Sequence, residues 1–170
     1  MYTIRPVNEN DLATVCGFIA GERETHYAFP DVAYPLTVAV LRKFVESRSD
    51  ATILMEDGTP VGFADLFNIK RNVQCYIGNV MIDKNHRDKG AGRRLIQEMV
   101  DIAVLRHNVT RIVIPCWSEN TPAVLLYTRL GFRPFEIMIK NHNDSEAVPV
   151  LLFEKNIDTD LPDPSPVGTL

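Results

Sequence analysis

NVMIDKNHRDKGAGRRL, residues 79–95, joins an apolar run to the start of a helix through two glycines and several basic side chains. The apolar residues at 80–82 indicate a strand, and Leu95 opens a stripe of apolar residues at helical spacing. The first N–H groups of a helix have no internal partner, and small residues let a ligand approach them closely. The segment RDKGAG at 87–92 therefore predicts a site for a phosphate or pyrophosphate.

A purely structural role for this segment stays open on these six residues alone. Glycines also serve the geometry of a turn, and basic side chains are common on a solvated face. The segment is not a GxxxxGK[ST] phosphate-binding loop, because that pattern is absent. It is not the dinucleotide-binding GxGxxG either, because the third glycine is missing.

The composition favours a small ligand over a polymer. The chain has 170 residues, a net charge of -4 and a pI of about 5.5, whereas a nucleic-acid-binding domain is usually basic. The three cysteines and four histidines show no spacing typical of a disulfide framework or a metal site. No apolar stretch has the length of a membrane span, and the N-terminal residues lack the pattern of a signal peptide. We therefore expect a cytoplasmic protein with no metal, no nucleic-acid partner and no membrane contact.

The hydrophobic pattern predicts a single mixed α/β domain at 1–157, followed by a disordered, proline-rich tail at 158–170. Hairpins in the middle of the chain indicate a largely antiparallel central sheet of about seven strands, flanked by about four helices. The aromatic and proline-rich stretch at 24–36 is predicted to be a loop. The predicted strands are 2–6, 52–57, 60–69, 75–83, 111–117, 132–140 and 148–156, and the predicted helices are 8–23, 37–48, 91–107 and 121–131.

Two motifs, taken together, resemble those of the GNAT family of N-acetyltransferases. The family's acetyl-CoA signature is [Q/R]-x-x-G-x-[G/A], and residues 87–92 fit it at every fixed position. Farther along the chain, ENTPAVLLYTRLGF at 119–132 is similar to a second family motif, and IRPVNENDL at 4–12 resembles the family's frequent start. The resemblance covers about residues 2–155, and it implies the GNAT fold and acetyl-CoA as the cosubstrate.

The resemblance also implies which residues bind this cosubstrate. Backbone N–H groups at 87–92 would bind the pyrophosphate of CoA, and the basic side chains nearby would add positive charge. The main chain of the preceding strand would pair with the pantetheine arm. The implied cofactor-binding residues are Val80, Ile82, Arg87, Asp88, Lys89, Gly90, Ala91, Gly92, Arg93 and Asn120, with Arg94 as an alternative to Arg93.

For catalysis, the resemblance implies direct attack of an amine on the thioester, with Tyr127 near the sulfur of CoA as the general acid. From its spacing alone, Tyr127 shares a helix face with Leu130, so a structural role in the core is an alternative. Some family members carry a glutamate on the strand before the signature, but the strand at 75–83 has no acidic residue before Asp83. Asp65 interrupts an apolar strand and is therefore the candidate general base, with a solvent-facing strand residue as its alternative.

The sequence therefore predicts an acetyl-CoA-dependent N-acetyltransferase that acts on a primary amine of a small molecule or peptide. The alternative is a module of the same fold that binds acyl-CoA without catalysis, as a sensor or a partner subunit. A nucleotide-binding protein would explain residues 87–92 but not the motif at 119–132. The acidic side chains of Glu22, Glu24, Asp31 and Glu146 favour a cationic acceptor without identifying it. We expect a homodimer, because small homo-oligomers are usually two-fold.

Overall fold

A computed structural model describes residues 1–142 and 146–157, without the side chains of residues 141, 142, 146 and 147. The predicted tail at 158–170 lies outside the described residues. In the described part, seven strands form one sheet and five α-helices cover it. The strands are β1 (Tyr2–Pro6), β2 (Ser49–Glu56), β3 (Thr59–Lys70), β4 (Gln74–Ile82), β5 (Arg111–Trp117), β6 (Arg133–His142) and β7 (Glu146–Asn156). The helices are α1 (Leu12–Cys16), α2 (Glu22–Ala28), α3 (Val38–Ser47), α4 (Ala91–His107) and α5 (Thr121–Arg129).

The sheet is mixed and largely antiparallel, which confirms the predicted fold class. Its strands run in the order β1-β2-β3-β4-β5-β7-β6, and β4 with β5 is the one parallel pair among the described strands. Strands β1 and β6 form the two edges. None of the described helices is long and apolar enough to cross a membrane.

The sheet is the middle layer of three. Neighbouring residues on β2, Ile53 and Leu54, are both fully buried although they point to opposite faces. Leu54 belongs to the core beneath α4 and α5, whereas Ile53 belongs to the core beneath α1 and α3. Because both faces are covered, consecutive residues are buried in the middle of each strand, at 52–54 in β2 and at 61–66 in β3.

Helix α4 begins and ends as the sequence predicts. Gly90 precedes it with a left-handed φ of 94°, and Asn108 follows it with a φ of 52° and donates its N–H to the Val104 carbonyl at 2.9 Å. Leu95 and Met99 on its apolar stripe are fully buried against the sheet. Burial of this stripe fixes α4 directly after β4.

The predicted loop at 24–36 is wrong in its first half, where the chain forms α2. Thr25 is fully buried and its hydroxyl donates to the Gly21 carbonyl at 3.0 Å, and Phe29 at the end of the helix is also fully buried. Two of the aromatic residues that suggested a loop, Tyr27 and Phe29, therefore pack in the core, whereas Tyr34 is exposed. The predicted helix at 8–23 is also wrong in its length. Helix α1 ends at Cys16, and the chain turns before α2 begins at Glu22.

Burial predicts a large difference between two leucines of α4. Leu95 is 0% exposed, whereas Leu105 is 84% exposed. We expect Leu95→Ala to lower the free energy of unfolding by about 2–5 kcal/mol because it leaves a cavity. Leu105→Ala is the matched control and is expected to change it by less than about 0.5 kcal/mol. Urea denaturation of both variants measures the difference, and similar values would contradict the placement of α4 on the sheet.

Candidate active site

The candidate site is a cleft that opens where β4 and β5 separate. Their parallel pairing joins residues 74–76 to residues 111–113 and goes no farther, although β4 continues to Ile82 and β5 to Trp117. The later halves of both strands line a cleft of about 910 Å³. Backbone groups of separated strands need other partners, so an extended ligand can pair with them as an added strand.

A bulge in β4 lies at this opening. The pairs between β3 and β4 run from Phe63–Met81 directly to Asp65–Gly78, so two residues of β4 oppose a single residue of β3. One of these two, Asn79, has a left-handed φ of 49°, and both line the cleft. Bulges change the direction of side chains and of backbone groups. This one therefore shapes the wall to which the pantetheine arm was assigned at Val80.

Asp65 lies behind the bulge and does not line the cleft. It is 0% exposed, so the alternative of a solvent-facing residue is wrong. The amide nitrogen of Asn79 donates to Oδ2 of Asp65 at 2.7 Å, whereas Oδ1 has no hydrogen-bond partner among the described residues. Burial raises the pKa of the Asp65 carboxyl to about 7, although the charge of Arg48 and the Asn79 hydrogen bond act in the opposite direction.

The glycine loop lies at the mouth of the cleft. The Arg94 N–H donates to the Gly90 carbonyl at 3.0 Å, which is the first helical bond of α4, so the preceding N–H groups have no partner in the helix. A Cβ atom at Gly90 would meet nothing within 4 Å, whereas one at Gly92 would come within 3.2 Å of Leu126 on α5. Gly90 thus leaves open space beside the helix start, and Gly92 allows α4 and α5 to approach. The resemblance assigned the pyrophosphate to this space.

Arg87 lines the cleft, and four hydrogen bonds hold its guanidinium. It forms two hydrogen bonds to the Glu24 carboxylate, at 2.6 and 2.9 Å, and it also donates to the carbonyls of Ile82 and Phe18 at 3.0 and 3.3 Å. The hydrogen bonds from Arg87 hold the pKa of Glu24 below its usual range. Arg87 thus links the glycine loop to α2, and its assignment to the cofactor stays a prediction.

The other basic residues of the segment divide into two groups. Arg93 lines the cleft, and its side chain forms no ion pair with the described residues. Lys89 donates to the Asn85 carbonyl at 2.8 Å and Arg94 pairs with Glu98, and neither of these two residues lines the cleft. The structure thus favours Arg93 over Arg94. Ala91 is buried under the helix start and can contribute only its backbone.

Tyr127 forms part of the cleft wall and part of the core. It is 5% exposed, and its ring lies 5.9 Å from that of Phe153 and 6.3 Å from that of Phe132, measured between centroids. Burial, with a smaller effect from Cys116, raises the pKa of Tyr127 above its usual range. The phenol therefore keeps its proton at neutral pH, as a proton donor must. Burial also raises the pKa of the Cys116 thiol, to about 12.

Asn120 and the aromatic residues lie along the β5 side. The side-chain oxygen of Asn120 accepts the Ala123 N–H at 3.4 Å and caps α5, and Asn120 lines the cleft. Trp117 and Tyr27 also line it, and the ring of His26 lies 4.1 Å from that of Trp117. His26 therefore packs behind the wall formed by Trp117.

Three charged residues of the lining, Arg23, Arg129 and Glu119, were not predicted from the sequence. The charged residues of the lining are four arginines and three acids, namely Arg23, Arg87, Arg93, Arg129, Glu24, Asp88 and Glu119. This balance gives the cleft a slight excess of positive charge, which suits an anionic cosubstrate. Of the acidic residues considered for the acceptor, only Glu24 lines the cleft, and the side chain of Glu146 lies outside the described part.

The comparison with known families agrees with this geometry. Residues 18–132 match the profile of the acetyltransferase (GNAT) family, which is more than half of the chain. The match includes the glycine loop, both strands of the cleft and Tyr127. The chain belongs to the GNAT family.

Similar proteins have been found by sequence and by structure. A protein of Bacillus subtilis subsp. natto, assigned as a spermine N(1)-acetyltransferase, is 28% identical over 86 residues, which are 47% of this chain and 57% of that protein. The spermidine N-acetyltransferase of Vibrio cholerae in complex with CoA and spermine is 18% identical with a TM-score of 0.76, over 91% of this chain and 95% of that one. A Salmonella typhimurium protein assigned to the acetyltransferases and solved with its cofactor acetyl-CoA is 18% identical with a TM-score of 0.71, over 93% and 95%. At these identities the structures show a common fold.

The buried carboxyl of Asp65 predicts a specific pH dependence of stability. Its folded pKa of about 7 exceeds the ordinary value of 3.8, so between these values the folded chain holds a proton that the unfolded chain has released. The contribution of Asp65 to stability therefore falls as pH rises from about 4 to about 7, by at most a few kcal/mol at about 1.4 kcal/mol per pKa unit. Asp65→Asn keeps an acceptor for Asn79 and is expected to lose this dependence. Urea denaturation at several pH values measures it.

The control for this experiment is Asp101→Asn, which changes an exposed residue of α4. We expect this variant to keep the wild-type pH profile. If Asp65→Asn also keeps that profile, the raised pKa of Asp65 is wrong.

Proposed function

We propose that this chain is an acetyl-CoA-dependent N-acetyltransferase that transfers the acetyl group to a primary amine of a small molecule or peptide. The observation that carries the proposal is the separation of β4 from β5, with the start of α4 at one end of the opening and Tyr127 in its wall. Membership of the GNAT family supports the same reaction class. We assign the activity to the domain at 1–157 and expect it in the cytoplasm.

In this proposal the cosubstrate lies along β4. The unpartnered N–H groups at the start of α4 bind the pyrophosphate, and Arg93 and Arg129, which also line the cleft, add positive charge. The backbone of Val80 and Ile82 pairs with the pantetheine arm, which takes the place that β5 leaves. Asn120 contacts the arm from the opposite wall. The thioester then lies between the two strands.

The reaction needs one group that stabilises the negative charge on the thioester oxygen and another that protonates the leaving sulfur. The amine nitrogen bonds to the thioester carbon, and a backbone N–H at the β4 bulge, near Val80, stabilises the charged oxygen. The carbon–sulfur bond then breaks, and Tyr127 donates its proton to the sulfur. The proton that the amine nitrogen loses passes through water to the Tyr127 phenolate and restores the phenol. The products are the acetylated amine and free CoA.

In this proposal Asp65 is a positioning residue and does not act as the general base. The carboxyl does not line the cleft, and Asn79 lies between it and the opening. Glu24 is engaged with Arg87, so it is not a free base either. We therefore propose that the neutral fraction of the amine reacts directly. Asp65 holds the bulge through Asn79.

Polyamines are the first acceptors to test, because relatives assigned to spermine or spermidine share the family or the fold. The wall toward α2 presents Tyr27 and Trp117, and aromatic faces attract ammonium groups. The lining is not strongly acidic, so charge gives polyamines no clear advantage over a peptide N-terminus. A panel of both classes is needed.

Acetyl-CoA binding is expected to depend on Gly90. Wild-type protein should gain about 2.7 kcal/mol of stability at ligand near a hundred times its dissociation constant, with acetyl-CoA or CoA but not with ATP. Gly90→Ala places a Cβ atom in the space open to the pyrophosphate and should weaken acetyl-CoA binding at least about tenfold. Thermal unfolding with each ligand and calorimetric titration measure both effects.

Gly58→Ala is the matched control for Gly90→Ala. Gly58 also has a positive φ, 83° against 94°, and also has nothing within 4 Å of a Cβ atom, but it lies in the turn between β2 and β3. Both variants should therefore lose about 1 kcal/mol of stability from backbone strain. Equal acetyl-CoA affinity in the two variants would contradict the pyrophosphate site.

Turnover is expected to depend on the phenol of Tyr127. Tyr127→Phe keeps the ring packed against Phe132 and Phe153 but removes the proton donor, so kcat should fall by about a hundredfold or more while acetyl-CoA affinity stays similar. Thiol release from acetyl-CoA with spermine, spermidine and short peptides gives the rates. Tyr34→Phe changes an exposed tyrosine and serves as the control.

Two outcomes would change the assignment. Unaltered turnover in Tyr127→Phe would leave Tyr127 only its packing role. Binding of acetyl-CoA without thiol release across the whole amine panel would favour the alternative, an acyl-CoA sensor of the same fold.

A further inference from the structure

The two edges of the sheet differ in length and in exposed apolar surface. Strand β1 has five residues and ends at a proline, whereas β6 has ten residues. Four apolar side chains of β6 are exposed, Phe135 by 38%, Ile137 by 66%, Met138 by 42% and Ile139 by 72%. These residues lie close together on a strand that has a described neighbour on one side only, namely β7.

Such an edge is a template for another strand. Proteins usually protect an edge with proline, with several lysines or with a very short strand. Residues 135–140, FEIMIK, contain no proline and no glycine, and their one glutamate and one lysine sum to zero charge. The proline and the bulge of β6 lie at its start, where the pairing with β7 passes from Pro134 directly to Glu136, so residues 136–140 form a regular edge without these protective features.

We propose that β6 pairs antiparallel with β6 of a second copy of this chain, about a two-fold axis at Met138. In this register Met138 lies opposite its own copy, and Ile137 lies opposite Ile139 of the partner subunit. Glu136 lies opposite Lys140 of the partner subunit, and by symmetry this pair occurs twice. The two seven-stranded sheets then form one continuous sheet across the axis.

The two faces of the strand agree with this register. Residues opposite each other in an antiparallel pair lie on the same face, and alternate residues share a face. Glu136, Met138 and Lys140 share one face, where Met138 pairs with Val150 of β7. Ile137 and Ile139 share the other face, where Ile137 pairs with Leu151. One face of the contact thus carries both ion pairs around the methionines, and the other carries two isoleucine pairs.

Neighbouring registers lose this complementarity. An axis at Ile137 places Glu136 opposite Met138, and an axis at Ile139 places Lys140 opposite Met138. Each leaves a charged side chain against an apolar one. The Met138 axis alone among these three pairs glutamate with lysine, so the sequence of β6 is complementary to itself. This self-complementarity identifies the partner as a second copy.

Charge reversal tests the pairing. Wild-type protein should sediment as a dimer at micromolar concentration. Glu136→Lys and Lys140→Glu should each raise the dissociation constant of the dimer at least about tenfold, because two opposite-charge pairs become two like-charge pairs. An equimolar mixture of the two variants should form heterodimers, because each lysine then faces a glutamate. The double variant Glu136→Lys, Lys140→Glu should form homodimers for the same reason.

Thr3→Lys adds a charge to the opposite edge of the sheet and should leave the dimer intact. Thermal unfolding shows that each variant is folded, as expected for exposed positions. A wild-type monomer up to about 100 µM, where even weak specific dimers form, would overturn the proposal. So would single variants with unchanged dissociation, or a mixture that associates no better than its components.

Discussion

The loss of pairing between β4 and β5 after their first three residues is the constraint on which the rest of the site depends. In a fully paired sheet the backbone groups of both strands would bond to each other, and no ligand could enter between them. Helices α4 and α5 follow these two strands, so both helix starts lie at the open end. The contact of Gly92 with Leu126 keeps them close together. A helix start with free N–H groups, an extended groove and a protonated phenol therefore meet in one place.

The buried carboxyl of Asp65 helps to maintain the shape of this opening, although its burial destabilises the fold. A carboxyl that is removed from water without full hydrogen bonding destabilises the fold, and the raised pKa of Asp65 reflects that cost. In return, Asp65 holds the side chain of Asn79, whose left-handed backbone interrupts β4. Strain of this kind persists where the surrounding structure enforces it, and it is common at functional sites. The position of Asp65 behind the bulge is consistent with that pattern.

Local sequence signals predicted the elements that their own residues determine. Helix α4 and strand β5 were predicted to the residue, because glycine, asparagine and apolar periodicity act within the element itself. Helix α2 was missed, because its aromatic residues pack on a sheet formed by distant parts of the chain. The partner of Arg87 was also missed, since Glu24 lies 63 residues away. The asparagine at position 79 was an available signal for the bulge, because asparagine tolerates a left-handed backbone.

The hydrogen bonds between Arg87 and Glu24 limit how far α2 can change when the acceptor specificity changes. They join the loop assigned to the cosubstrate to α2, which also contributes Tyr27 to the cleft. Substitutions in α2 that displace Glu24 would leave a half-buried guanidinium without its partner and would disturb the glycine loop as well. Engineering a new acceptor preference through α2 must therefore preserve Glu24 or change both members together. Natural homologues that diverge here should exchange the two residues as a pair.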